Sequence, residues 1–141
     1  MDKRYPEAVV GCFILNNQHE LILVRSYKWP NHWVVMGGHI EWGESIAAAA
    51  EREVMEEVGL KVKFVRVIEP AEFIFSPDFH DKKHMIGLQS ECKLVGDPTP
   101  KIDHDEIQEA RWFPLTEASS MADLLPITQH TIKLLLSHHS Q

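Results

Sequence analysis

The stretch from Gly38 to Leu60, GHIEWGESIAAAAEREVMEEVGL, constrains this chain more than any other. It reads as a turn, a run of strong helix formers and a closing glycine. Ser45 is placed to cap a helix, Ile46–Val58 is rich in good helix formers, and Gly59 suits the left-handed position just past a helix end. At roughly 100° per residue, Glu53, Glu56 and Glu57 fall within roughly 100° of arc. Ala47, Ala50, Val54 and Val58 form an apolar stripe beside them, suited to packing on a sheet.

Carboxylates spaced i, i+3 and i+4 repel one another, and an ordinary surface helix has no reason to collect them. The helix offers Arg52 alone against Glu51, Glu53, Glu56 and Glu57, so ion pairing cannot neutralise that face. A divalent cation can, because hard oxygen ligands suit Mg²⁺, with Mn²⁺ as a possible substitute. Arg52 is also placed to pair with Glu44 ahead of the first turn, bracing the loop against the helix.

Gly38, Glu44, Arg52, Glu53, Glu56, Glu57 and Gly59, with aliphatic Val54 and Leu60, match the Nudix box G-x5-E-x7-R-E-U-x-E-E-x-G-U, where U is aliphatic. Average residue usage gives such a match by chance on the order of 10⁻⁸ times in a chain of this size. The chain thus resembles the Nudix (MutT-like) hydrolases. The likeness extends to WVVMGG before the box and DEIQEARWFPLTEA near the end. One departure is Met36-Gly37-Gly38 where many members carry Pro-Gly-Gly, which alters the stiffness of that loop.

The resemblance implies a loop–helix–loop that binds Mg²⁺ and hydrolyses a nucleoside diphosphate linked to another moiety. It assigns Glu53 and Glu57 as principal metal ligands, Glu56 as ligand or general base, and the Gly38 carbonyl as a further ligand. Glu44 is cast as the partner of Arg52. Many members bring a further acid from a loop near the last strand. Asp103, Asp105, Glu106 and Glu109 are the candidates, and Glu106 is preferred because it lies six residues before Trp112, as in some MutT-like relatives.

Substrate contacts are harder to read. Arg25 resembles a family position that often contacts phosphate, and it reads equally well as a surface strand terminus. Lys82, Lys83 and His84 are better read as solvated charge than as a clamp on a phosphate tail. Trp29 and Phe79, in polar loops, are the stacking candidates for a base, whereas Trp33 and Trp112 read as core aromatics.

With 141 residues the chain is long enough for one well-packed domain spanning 1–141. A formal charge of −7 with no basic run argues against long nucleic acids as partners; the resemblance implies a nucleotide or nucleoside-diphosphate derivative as the substrate. Cys12 and Cys92 lack metal-ligand spacing and read as buried thiols in a reducing compartment. MDKRYPEA is too polar for a signal peptide, and no run suits a membrane span, so a cytoplasmic monomer or homodimer is expected.

Periodicity predicts strands at Ala8–Leu15, Glu20–Arg25, Trp33–Met36, Lys61–Glu69, Glu72–Phe75, His84–Val95 and Gln108–Phe113. Asn16–His19 reads as a hairpin turn, and Ser26–His32 and Ser76–Lys83 as loops. Pro114 and Thr116 open a short helix, and a second helix is expected at Pro126–Ser137, with Ile127, Ile132, Leu135 and Leu136 facing in. Strands mixed with flanking helices imply an α/β class, a Nudix-type α/β/α sandwich with a mixed β-sheet. Two rival functions remain. An isopentenyl-diphosphate-isomerase-like enzyme would need a poised Cys and Glu. A non-catalytic nucleotide-sensing Nudix domain tends to lose box glutamates, and all are present here.

Overall fold

The computed structural model describes residues 4–79 and 81–139. His80, within the expected loop Ser76–Lys83, and Met1–Lys3 of the polar N-terminal segment lie outside the described residues. The elements are β1 Glu7–Leu15, β2 Glu20–Ser26, β3 Met36–His39, α1 Ile46–Val58, β4 Val62–Ile74, β5 His84–Leu94, β6 Ile107–Pro114, α2 Leu115–Ala118 and α3 Pro126–His139.

The sheet runs β4-β5-β1-β2-β6, with β3 also paired to β1. β1 and β5 are parallel, and the other pairings are antiparallel, so the sheet is mixed as expected. Alternation along the strands sends side chains to opposite faces. Val10, Cys12, Ile14, Ile22 and Val24 pack under α1 with Ala49, Ala50, Val54 and Val58. Phe13, Leu15, Leu21 and Leu23 pack on the other face with Ala118 of α2 and Ile132 and Leu135 of α3. Helices therefore cover both faces, giving the α/β/α sandwich. Each fully buried aliphatic side chain of this kind contributes roughly 1.5–3 kcal/mol. Among the described residues, no helix is long and apolar enough to cross a membrane.

The β1–β2 hairpin is closed by Asn16, whose Oδ1 accepts the amides of Gln18 at 3.0 Å and Glu20 at 2.9 Å. Beyond the turn the two strands pair only at Leu15↔Leu21 and then part. β3 fills β1's free edge at Val9–Cys12, while Val34 bridges to Val24 on β2. This parting opens the interior of the sheet on the side where the candidate site forms.

Several expected elements are displaced. The strand expected at Trp33–Met36 is realised as β3 at Met36–His39, with Trp33 and Val34 in isolated bridges. The two segments expected on either side of Pro70 are one strand, β4, with register shifts between Phe64 and Arg66 and between Val67 and Glu69. Pro70 is tolerated there because β4 is an edge strand. On α1 the buried stripe uses Ala49 where Ala47 was expected. On α3 the buried positions are Thr128, Thr131, Ile132 and Leu135, whereas Ile127 and Leu136 are half-buried.

Candidate active site

Local sequence fixes the helix that carries the acids. Ser45 has extended backbone angles (φ −75°, ψ 161°), and its Oγ accepts the Ala48 amide at 3.0 Å. Such a cap stabilises a helix by about 1 kcal/mol. Gly59 closes the helix at φ 65° and donates its amide to the Met55 carbonyl at 3.0 Å. Beyond it, the acidic loop wraps the helix end. The Lys101 amide donates to the Val58 carbonyl at 2.7 Å and the Asp103 amide to the Glu57 carbonyl at 3.1 Å. Carbonyls that a helix end leaves open thereby gain partners, and Glu106 is brought to the side of Glu57.

Arg52 is the hub of the box. Its Nε donates to Glu44 Oε2 at 2.7 Å and its Nη2 to Glu44 Oε1 at 2.8 Å, a bidentate pair of the strong kind. The same guanidinium donates to Glu53 at 2.9 Å, to the His39 carbonyl at 3.1 Å and to Glu56 at 3.3 Å. The hydrogen bonds from Arg52, with the Glu41 amide, pull the Glu44 carboxyl down to about 2. Glu44 is thus a brace for the loop, as the spacing suggests.

Glu53 and Glu57 behave differently. Burial pushes the Glu53 carboxyl above its ordinary value despite Arg52. Burial, then repulsion from Glu53 and Glu106, pushes Glu57 up to about 8, with the Gly37 amide offsetting part of the rise. These carboxyls resist sharing one neighbourhood as anions, the condition a divalent cation relieves. Gly38 faces them closely, since a Cβ there would lie 2.5 Å from the Glu53 carboxyl carbon. Among the described residues, no three His, Cys, Asp or Glu side chains are drawn into a ready-made metal cage. Arg52 instead holds Glu53 and the more exposed Glu56 (58% side-chain exposure) to its own side. The available donors are hard oxygens with net negative charge, and that chemistry fits Mg²⁺.

A cleft of about 630 Å³ opens beside this cluster. Gly38, Glu57 and Glu106 line it, and so do Trp29, Phe73 and Phe79. The Trp29 and Phe79 ring centroids are 5.6 Å apart at 80°, and those of Phe73 and Phe79 5.7 Å apart at 87°, so the three rings form one edge-to-face wall. Two turns position the wall. Trp29 donates its amide to Ser26 O at 3.1 Å, and Phe79 donates its amide to Ser76 O at 3.3 Å. Lys28 and Lys83 also line the cleft and supply positive charge.

Expectation and structure diverge at a few residues. Arg25 does not line the cleft. Its guanidinium lies 4.5 Å from the centroid of the Trp33 ring and 3.7 Å from Asp123, which is the strand-terminus alternative. Trp33 is buried, as expected of a core aromatic. Trp112 is half-buried, packs against the core beneath α1 and donates its indole N–H to Pro98 O at 2.9 Å. Of the lysines read as solvated, Lys83 lines the cleft, while Lys82 covers the Phe75 ring at 4.4 Å. Sequence reasoning passed over Gln89 and Thr128, which also line the cleft. Each sits in a short polar run, Gln89–Glu91 and Thr128–Thr131, that carries no signal for that role.

Comparison with known proteins identifies the family. A model of the NUDIX domain matches residues 5–135. The NAD-capped RNA hydrolase NudC of Pseudomonas aeruginosa (strain LESB58) is 30% identical over 139 residues, covering 97% of this chain and 47% of that protein. Diphosphoinositol polyphosphate phosphohydrolase 2 of Rattus norvegicus is 42% identical over 109 residues, covering 76% of this chain and 56% of that protein. The chain therefore spans about half the length of these relatives. A solved structure from Jonesia denitrificans, described as a possible asymmetric diadenosine tetraphosphate hydrolase, superposes with a TM-score of 0.80 at 17% identity, covering 98% of this chain and 97% of that one; at that identity it speaks for the fold alone. The match over residues 5–135 and the intact box together place the chain in the Nudix family.

Proposed function

We propose that this protein is a Mg²⁺-dependent pyrophosphohydrolase that cleaves a phosphoanhydride bond in a nucleoside triphosphate or a nucleoside-diphosphate-linked metabolite. The observation that carries this reading is the single cleft joining the acidic end of α1 to an aromatic wall. The acids suit a polyphosphate with its cation, and the aromatic rings suit a planar base. The cytoplasm, where such substrates and Mg²⁺ abound, is the proposed setting.

Magnesium, when bound, supplies the charge that offsets phosphate oxygens and makes water a better nucleophile near neutral pH. Glu53 and Glu57 would hold it with the Gly38 carbonyl, and Glu56 would serve as a further ligand or as the base. The chain's own contribution is orientation. Arg52 and Glu44 fix the loop that presents Gly38, and the loop ending at Glu106 places a further acid beside Glu57 to hold a water or accept its proton. Lys28 and Lys83 would attract the polyphosphate chain.

The isomerase alternative needs a thiol at the reacting carbon. Cys12 and Cys92 are both buried under α1, and the hydrogen bond between them and then burial push the Cys12 thiol well above its ordinary value. A sensor without catalysis would have no need of the complete glutamate set. The names of the relatives carry substrates as unlike as NAD-capped RNA and a diphosphoinositol polyphosphate, so the leaving group has to be found by experiment. Incubation with Mg²⁺ and a panel of nucleotides, dinucleotides and nucleotide sugars, with products resolved by mass, tests the reading. Cleavage at an anhydride supports it, and intact substrates across the panel contradict it.

A further inference from the structure

Away from the glutamates, the cleft is lined by three glycines of the sheet and by one side-chain amide, Gln89. Gly11 of β1 pairs with Gly37 of β3 on one side and with Gln89 of β5 on the other, and Gly87 of β5 pairs with Val9. Gly11, Gly37 and Gly87 all line the cleft. The space they leave is used. A Cβ at Gly11 would collide with the Gln89 side-chain oxygen, and a Cβ at Gly87 would lie 3.1 Å from the Phe73 ring. Gln89 thus lies across Gly11, and Phe73 leans over Gly87.

Gln89 is 5% exposed, and Thr128 of α3 is 3% exposed. Neither side chain has a hydrogen-bond partner among the described residues, although every fully enclosed side-chain polar atom there has one. Both line the cleft. A nearly buried amide left without a partner is costly unless water or a ligand satisfies it, and here the cleft is where that partner has to come from.

We propose that Gln89 is a specificity-determining residue that reads the edge of a nucleobase held in the cleft against the wall of Trp29, Phe73 and Phe79. A side-chain amide presents one acceptor and one donor side by side, matching any base edge with an adjacent donor and acceptor. The Thr128 hydroxyl adds a second adaptable contact. This rests on the nucleotide reading of the site and narrows it to substrates whose base, as well as the polyphosphate, is recognised. Aromatic stacking supplies base affinity without sequence preference, whereas Gln89 supplies the preference among bases.

The test measures binding in place of turnover. The α,β-methylene diphosphates of adenosine, guanosine, cytidine and uridine are titrated calorimetrically in the presence of Ca²⁺, with methylenediphosphonate as the base-free control. The wild-type protein is expected to bind its preferred base at least about tenfold more tightly than its least preferred one, and more tightly than the control. Gln89→Met, which keeps length and burial, is expected to shrink that spread to about threefold or less while preserving the advantage over the control. Gln89→Glu, which replaces the donor with an acceptor, is expected to change the rank order. A wild-type protein that binds all four bases alike, or no better than the control, overturns the proposal. So does an unchanged spread and order in both folded variants. Cleavage of phosphoanhydrides is scored separately, so hydrolysis without base preference removes only Gln89's role. Base preference without hydrolysis removes only the catalytic reading.

Discussion

The backbone amide of Asp103 donates to the carbonyl of Glu57 at 3.1 Å, fastening the acidic loop to the last turn of α1. Asp103 then organises the loop itself. Its Oδ1 accepts the Asp105 amide at 3.0 Å, and its carbonyl accepts the amides of Glu106 at 3.1 Å and Ile107 at 2.8 Å. Asp103 shapes the turn and Glu106 is what the turn presents. Asp103→Asn keeps an acceptor oxygen and is expected to leave kcat within about threefold, whereas Glu106→Gln is expected to lower it by about 10- to 100-fold. Steady-state kinetics on the two variants checks this, and the reverse order would reassign the loop acid.

Gly38 owes its identity to Glu53. A methyl group there would stand 2.5 Å from the Glu53 carboxylate, so Gly38→Ala has to displace the acid or the loop. Divalent-cation affinity is expected to fall by about 10- to 100-fold with the melting temperature little changed in metal-free buffer. Mn²⁺ titration followed by electron paramagnetic resonance reads the affinity. Unaltered Mn²⁺ binding would separate Gly38 from the metal site.

Glu44 makes acid stability measurable. Its folded-state carboxyl is lowered to about 2 by Arg52 and the Glu41 amide, below an unfolded value of about 4.3. The contribution is present above about pH 4.3 and is lost as pH falls through about 2. Glu44→Gln is expected to melt lower than wild type near neutral pH, with the gap closing in strong acid. A gap that stays constant with pH would show that the ion pair is not its source.

Glu57 carries the opposite sign. Burial, Glu53 and Glu106 raise its folded-state carboxyl to about 8, so the folded protein holds a proton that the unfolded chain has lost above about 4.3. Stability from this group is full below about pH 4.3 and declines as pH rises through about 8. In metal-free buffer, Glu57→Gln is expected to gain melting temperature relative to wild type on going from about pH 5 to about pH 9. Saturating Mg²⁺ is expected to raise the wild-type melting temperature most at the alkaline end, since the cation takes the proton's place. Parallel pH profiles for the two proteins would contradict this.

The helix of the box was legible because its determinants are local. A serine cap, a run of alanine and glutamate and a left-handed glycine need no distant partner. Sequence points to a strand a few residues before β3 because Trp33 and Val34 look like strand residues, while β3 itself contains Gly37 and Gly38, which local propensity disfavours. It forms because its backbone pairs with Val9–Cys12 of β1. Trp29 and Phe79 were legible as loop aromatics, although Trp29 also packs against the core beneath α1. Arg25 was open because a strand-end arginine serves a phosphate or a tryptophan face equally well, and only the fold chose Trp33. Gln89 was not legible at all. In the sequence it is one polar residue in the strand containing HMIGLQSECKL, and its meaning comes from Gly11 on the neighbouring strand.

The most direct measurement is kcat of Glu57→Gln on the substrate found by the Mg²⁺ panel, with circular dichroism confirming the fold. A carboxylate that holds the cation predicts a loss of at least about 10²-fold with the fold intact. Near wild-type turnover in the folded variant would remove Glu57 from the metal site and contradict the proposed chemistry.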